Sequence, residues 1–257
     1  MISSQWRSRL LTSHSCFMTS VISPSDCSPR TIEQLADVYN EAFSSDSLHL
    51  ALYRPSFSNS PLSSKLRASL DFYKRRELHL YLVKREMVTL AFKEEGNIVG
   101  FVMFKVPKDY SVNLKQCCPD YVPISVVQRL LLRLRYSIEL SMWFLLNPRI
   151  FRRKPSLEYA VRRAQEVPDI DNCIYIYHLA VRPEHQRKGI GKRLMEEVIA
   201  ISSTVSRAEH ETGYSPVGST SIMLETVHPD YYSRFGFHGL SQFHFNDICL
   251  YVMRKGI

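Results

Sequence analysis

No C-x-x-C pair occurs among the six cysteines, at positions 16, 27, 117, 118, 173 and 249. No acceptable signal peptide precedes them, so neither a zinc site nor a disulfide framework is indicated, and the thiols are read as reduced. Cys117 and Cys118 are adjacent; a bridge between neighbours would be strained, and they are read as two ordinary thiols. RNA-binding, finger and helix-turn-helix signatures are missing, which removes the usual vehicles of nucleic-acid recognition. Neither G-x-x-x-x-G-K-S/T nor G-x-G-x-x-G is present, so ATP and NAD are disfavoured. The first 25 residues contain no Asp or Glu. What is present is the composition of a soluble globular chain: 257 residues, 45% hydrophobic, 23% charged, net charge +8. That length gives one large domain or two small ones, either able to bury a core.

The positive charge is local. Residues 129 to 163 hold nine bases and two acids, a net of +7, which leaves +1 for the other 222 residues. A nucleic-acid surface spread over the whole molecule is therefore not expected. The segment predicts a solvated basic face on an inserted helix, with an acidic partner or a membrane surface as the alternative. Ile124 to Leu146 is long and apolar, but Arg129, Arg133, Arg135 and Glu139 fall inside it. Charges there would cost too much at a bilayer centre, so a lid or interface helix is expected and a spanning helix is not.

Residues 1–28 are read as a disordered tail. Ser-rich and carrying Arg7 and Arg9, they also have the composition of a mitochondrial transit peptide. Residues 29–257 are read as a single domain with a helical, basic insertion at about 107–170. Ile32, Leu35, Ala36, Val38, Tyr39, Ala42 and Phe43 repeat at helical spacing behind Thr31, a candidate N-cap. A second helix is expected from about Leu62 to Val83. Val88–Phe92 and Ile98–Lys105 read as a β-hairpin turning at Glu95-Gly96-Asn97. Further strands are expected at Ile174–Val181, Ser221–Thr226, Phe237–Leu240 and Ile248–Arg254, with helices at Ile190–Arg207 and Pro229–Arg234.

The most informative stretch runs from Leu179 to Leu194. The strand ending in Leu179-Ala180-Val181 enters a loop, Gln186-Arg187-Lys188-Gly189-Ile190-Gly191, and a helix follows at once. Glycines permit positive φ and close approach, and the free N–H groups of a first helical turn point at whatever sits there. Arg187, Lys188 and Lys192 add to the positive end of the helix dipole. The arrangement predicts a phosphate cradle.

This loop, after L-A-V and before an amphipathic helix, resembles the Q/R-x-x-G-x-G/A motif of the GNAT superfamily of N-acetyltransferases. Tyr232-Ser233-Arg234-Phe235-Gly236-Phe237 is similar to that family's Y-x-x-x-G-F segment, and the resemblance extends from about Thr31 to Arg254, interrupted by the insertion. It implies an α+β fold: a mixed, mostly antiparallel sheet flanked by helices and splayed between its fourth and fifth strands. It implies acetyl-CoA as co-substrate and no metal. The pantetheine arm would pair with the backbone of Leu179, Ala180 and Val181, and the diphosphate would sit on the amides of Arg187, Lys188, Gly189, Ile190, Gly191 and Lys192, with Gln186, which opens the motif, also among the cofactor-binding residues.

Transfer of an acetyl group from a thioester to an amine needs a neutral amine, a stabilised oxyanion and a proton for the thiolate. The resemblance makes Tyr232 the general acid, with Tyr231 the alternative if the helix is rotated. A backbone N–H at the end of the Ile174–Val181 strand would polarise the carbonyl, provided the strand bulges there. Glu225 is the candidate base. Simple alternation puts Tyr175 and Tyr177 on one face with Leu179 and Val181, and His178 on the other. His178 is the better titrating group, and ordered water with no single base remains a third route. Where relatives carry an asparagine near the start of the last helix, this chain has His228-Pro229-Asp230. Leu224-Glu225-Thr226 with Tyr232 and Gly236-Phe237 looks like the small-molecule branch that includes puromycin N-acetyltransferase. The expectation is direct attack by a small primary amine in a ternary complex. A protein or peptide acceptor, or a non-catalytic acyl-CoA-binding module, is the alternative. The expected compartment is the cytoplasm, or the mitochondrion if the tail is a transit peptide.

Overall fold

The computed structural model describes residues 17–22, 28–44, 46–48, 87–107, eight helical positions between 127 and 142, and residues 173–212, 221–245 and 247–257. The segments around Leu62–Val83 and Cys117–Cys118, and the rest of the insertion, lie outside the described residues. Seven strands form one sheet: β1 (Phe17–Ile22), β2 (Met87–Glu94), β3 (Asn97–Lys105), β4 (Ile174–Val181), β5 (Ser221–Thr226), β6 (His238–Phe245) and β7 (Ile248–Gly256), in the order β1-β2-β3-β4-β5-β7-β6. Every pairing is antiparallel except β4 with β5. That parallel pair spans only Ile174–Ile176 against Ile222–Leu224. Beyond Ile176 the two strands part.

Residues 17–22, assigned from sequence to the tail, instead form an edge strand that pairs with β2 from Phe17↔Glu94 to Ile22↔Thr89. Ile22 is buried beside α1 (Pro29–Ala42), and Val21 packs on the opposite face. A short, Ser- and Thr-containing strand lacks the long alternating run that sequence periodicity detects. The β2–β3 hairpin is as expected, but the two loop residues are Glu95 and Gly96, with φ of 50° and 81°, as in a type I′ turn; Asn97 already pairs with Glu94.

The N-cap of α1 is Ser28, not Thr31. The Ser28 hydroxyl accepts from the Thr31 amide at 3.1 Å, and Pro29 occupies the first turn, where its fixed φ suits the helix and its missing N–H has no bond to lose. The helix lays Ile32, Leu35, Ala36, Val38 and Tyr39 on Ala91, Phe101, Met103 and Ala180. On the other face α2 (Ile190–Thr212) packs Ile190, Leu194, Met195, Val198 and Ile201 against Val88, Phe104, Ile176 and Leu224. The sheet thus lies between α1 and α2, which sets each residue of β4 on one of two chemically distinct faces.

A bulge decides which. Met103 pairs with His178 and Phe104 with Ile176, so Tyr177 is the extra residue. One inserted residue reverses the alternation downstream of it. Ile174 and Ile176 share the α2 face with Leu179 and Val181, whereas Tyr175, Tyr177 and Ala180 pack on the other side. His178 lies there too, against Tyr39 of α1. The expected separation of His178 from the tyrosines is therefore overturned.

Candidate active site

From Val181 the chain turns through a single 3₁₀ turn (Pro183–His185) into α2. Its path is tied down at several points. The Arg182 amide donates to the Val99 carbonyl at 2.9 Å, and the Gln186 side chain folds back to donate to the Val181 carbonyl at 3.0 Å. His185 Nε2 lies 2.6 Å from a Glu94 carboxylate oxygen, and Arg182 lies 3.6 Å from Glu41. Gly100 lets the layers close: a Cβ there would stand 3.1 Å from Ile190 and 3.2 Å from the Ala180 carbonyl. Sequence reasoning did not single it out, because an isolated glycine inside a strand carries no directional signal.

Past Gln186 the backbone is left-handed twice, at Arg187 (φ 60°) and Gly189 (φ 83°). The first helical bond of α2 runs from the Arg193 amide to the Gly189 carbonyl at 3.0 Å. The amides of Ile190, Gly191 and Lys192 precede it and are the unpaired donors of the helix end. Arg187 and Lys188 are exposed and have no carboxylate partner among the described residues, in contrast to Arg182 and His185. Open amides, a dipole end and two uncommitted cations meet at one place. The two glycines do different things there. Gly189 supplies the positive φ, and a Cβ on it would meet nothing within 4 Å. Gly191 was expected to admit an anion; instead, the space a Cβ would fill holds the Tyr231 hydroxyl, 2.7 Å away.

Beside this loop, β4 beyond Ile176 has β3 on one edge and no strand on the other among the described residues. The backbone of Leu179, Ala180 and Val181 thus borders the gap left by the parting of β4 and β5. Across it, β5 continues to Glu225 and Thr226, and the Thr226 hydroxyl accepts from the His228 amide at 2.9 Å, turning the chain into α3 (Pro229–Ser233). Tyr232 packs its ring on the core against Phe237, with centroids 6.1 Å apart. Burial pushes its pKa far above the ordinary phenol value, so the hydroxyl stays protonated.

Glu225 is half-buried and accepts a hydrogen bond from the hydroxyl of Tyr175, itself only 2% exposed. From Tyr175 a row of rings crosses β4 to α1. Tyr175 and Tyr177 are 4.9 Å apart, Tyr177 and His178 6.5 Å, His178 and Tyr39 5.1 Å, and Tyr39 and Phe43 4.6 Å. The link between Tyr175 and Glu225 was invisible in the sequence, since it joins neighbouring strands 50 residues apart in the chain.

Residues 159–239 match the family model of the acetyltransferase (GNAT) domain. The matched stretch contains β4, the loop, α2, β5 and α3, which are the elements that build the site. The sheet is mixed and mostly antiparallel, with one parallel pair and β4 parting from β5, as the resemblance implied. None of the curated proteins compared with the chain matches it. Solved structures similar to it include the PaiA N-acetyltransferase of Thermoplasma acidophilum in complex with coenzyme A, at 13% identity and a TM-score of 0.46, covering 95% of this chain and 100% of that one. NAA60 of Arabidopsis thaliana in complex with acetyl-CoA is similar at 14% identity and a TM-score of 0.42, covering 94% and 98%. The ribosomal-protein-S18-alanine N-acetyltransferase of Escherichia coli is similar at 12% and 0.41, covering 93% and 94%. At such identities and scores these three likenesses add nothing to the match with the GNAT domain.

The loop residues Gln186 to Lys192 follow directly on the strand residues Leu179, Ala180 and Val181. Tyr232 and Glu225 both come from elements beyond the gap. Tyr231 turns its hydroxyl to the loop while Tyr232 turns its ring to the core, so the two tyrosines occupy separate places. Among the described residues no group of three His, Cys, Asp or Glu side chains is arranged to hold a metal ion.

Proposed function

We propose that the protein transfers an acetyl group from acetyl-CoA to a small primary amine by direct attack in a ternary complex. The observation that carries this is the loop after β4, where the three amides of a helix end and two cations without carboxylate partners among the described residues adjoin a strand edge that no described strand pairs. A diphosphate suits the first part and an extended pantetheine arm the second. Acetyl-CoA supplies the activated thioester. The bulge in β4 at Tyr177 makes a backbone amide of this strand the candidate to stabilise a developing oxyanion. Glu225, held by Tyr175, accepts the amine proton through water. The nitrogen forms a bond to the carbonyl carbon, the C–S bond breaks, and the departing sulfur takes its proton from Tyr232. A phenol whose pKa is raised as that of Tyr232 is gives up its proton late, when the thiolate is nearly formed.

The acceptor reading rests on the half-buried rings of Tyr177 and His178, which follow Tyr175 and its Glu225 partner along β4. Aromatic faces and one carboxylate suit a compact ammonium ion that is deprotonated on arrival. A protein or peptide amine is the rival acceptor. The test is release of free thiol from acetyl-CoA over a panel of small amines and peptides, with the Gly189→Asp/Gly191→Asp double variant as control. Amine-dependent release that the double variant abolishes supports the reading; release indifferent to it removes the loop from the mechanism. Coenzyme A binding without turnover on any amine would make the protein a binding module. The proposed compartment is the cytoplasm.

A second, compatible reading concerns the insertion. Val127, Leu130, Leu131, Leu134, Ile138 and Met142 are helical and 53–67% exposed, at the spacing of a single stripe. With +7 carried by residues 129–163, this stripe suits an anionic lipid surface and disfavours a second, equally basic copy of the chain.

A further inference from the structure

Tyr231 belongs to α3, but its hydroxyl lies over the first turn of α2. A Cβ on Gly191 would stand 2.7 Å from the hydroxyl oxygen and 3.7 Å from the ring carbon that bears it. The ring is clamped edge-on by Tyr232 at 5.0 Å and lies 5.5 Å from Phe235, so its direction is fixed by packing. The hydroxyl itself makes no hydrogen bond with any described residue, although the side chain is half-buried. A hydroxyl held in this way beside three unpaired amides is a donor waiting for an acceptor.

We propose that Tyr231 is a positioning residue that donates a hydrogen bond to the diphosphate of coenzyme A. This inference rests on the loop being the coenzyme A cradle. It assigns to α3 a contact with the cofactor at the place where His228-Pro229-Asp230 leaves no asparagine to make one. Burial raises the Tyr231 pKa, which keeps the hydroxyl a donor and avoids a phenolate beside phosphate. Because Tyr231 adjoins Tyr232, filling the cradle also fixes the element that carries the general acid. Gly191 then has a definite purpose: alanine there would push the hydroxyl off its place while leaving the backbone conformation allowed.

The test measures coenzyme A binding by calorimetry for the wild type, Tyr231→Phe, Gly191→Ala and the double variant, with pantetheine, which lacks the diphosphate, as second ligand. A neutral donor to a charged acceptor predicts about a tenfold loss of coenzyme A affinity in Tyr231→Phe, unchanged pantetheine binding, and a raised KM for acetyl-CoA with little change in kcat. Gly191→Ala should lose a similar factor, and the double variant should be no weaker than Tyr231→Phe, since without the hydroxyl the nearest ring atom is at 3.7 Å, an ordinary contact. Wild-type binding with an unaltered Tyr231→Phe overturns the inference alone. So does equal loss for both ligands, which would mark a packing role. A wild type that binds no coenzyme A overturns the cradle, and this inference with it.

Discussion

Adjacent tyrosines of one short helix have opposite surroundings, and their substitutions should separate cleanly. Tyr232→Phe is expected to lower kcat by about 100-fold, the range for a lost general acid, while leaving the KM for acetyl-CoA nearly unchanged in steady-state kinetics. The same side chain has a signature in stability. Its folded pKa lies above that of an exposed phenol, so below pH ~10 it is neutral in both states and does not bias folding. As pH rises past the unfolded value, the unfolded chain alone releases the proton and stability falls. Denaturant titrations above pH ~10 should show that fall, and Tyr232→Phe should make it shallower. At Glu225 the expectation is that Glu225→Gln abolishes most activity. Tyr175→Phe should lower it less and alter the pH–rate profile, since the carboxylate would lose a donor. An unaltered profile in both would leave water as the proton acceptor.

The elements differ in how much of them could be read in advance, and the reason is physical. The boundaries of β4 and β5 were legible because both are runs of β-branched and apolar residues ended by turn chemistry. The loop was legible because glycine and cation spacing is a local property. The bulge in β4 was not: a strand's alternation is printed in its sequence, but the slip at Tyr177 is set by its partner β3. Hence the identities of the candidate groups were readable, but the face that His178 shares with Tyr175 was not. β1 was missed for a related reason, since its six residues gain their place only by pairing with β2. Deletion through Ile22 should therefore lower the melting temperature markedly and promote aggregation through the bared edge of β2.

For the molecule as a whole, catalytic chemistry and surface chemistry fall in different stretches of chain. Binding to vesicles containing anionic phosphatidylserine should be measurable by co-sedimentation, fall as salt rises, and vanish for neutral phosphatidylcholine. Leu130→Glu/Leu134→Glu should abolish it while leaving turnover of a soluble amine intact. Retention at high salt, or a shift to dimer by light scattering, would instead assign the apolar stripe to another chain. One more property follows from the brevity of the parallel ladder. Only three residues of β4 meet β5, so the two wings of the sheet depend on the packed helices for their mutual alignment. Whatever fills the gap splices them. Deuterium uptake at residues 177–181 and 225–226 should therefore be fast in the empty protein and slow on saturation with ligand, with the far edges at β1 and β6 indifferent.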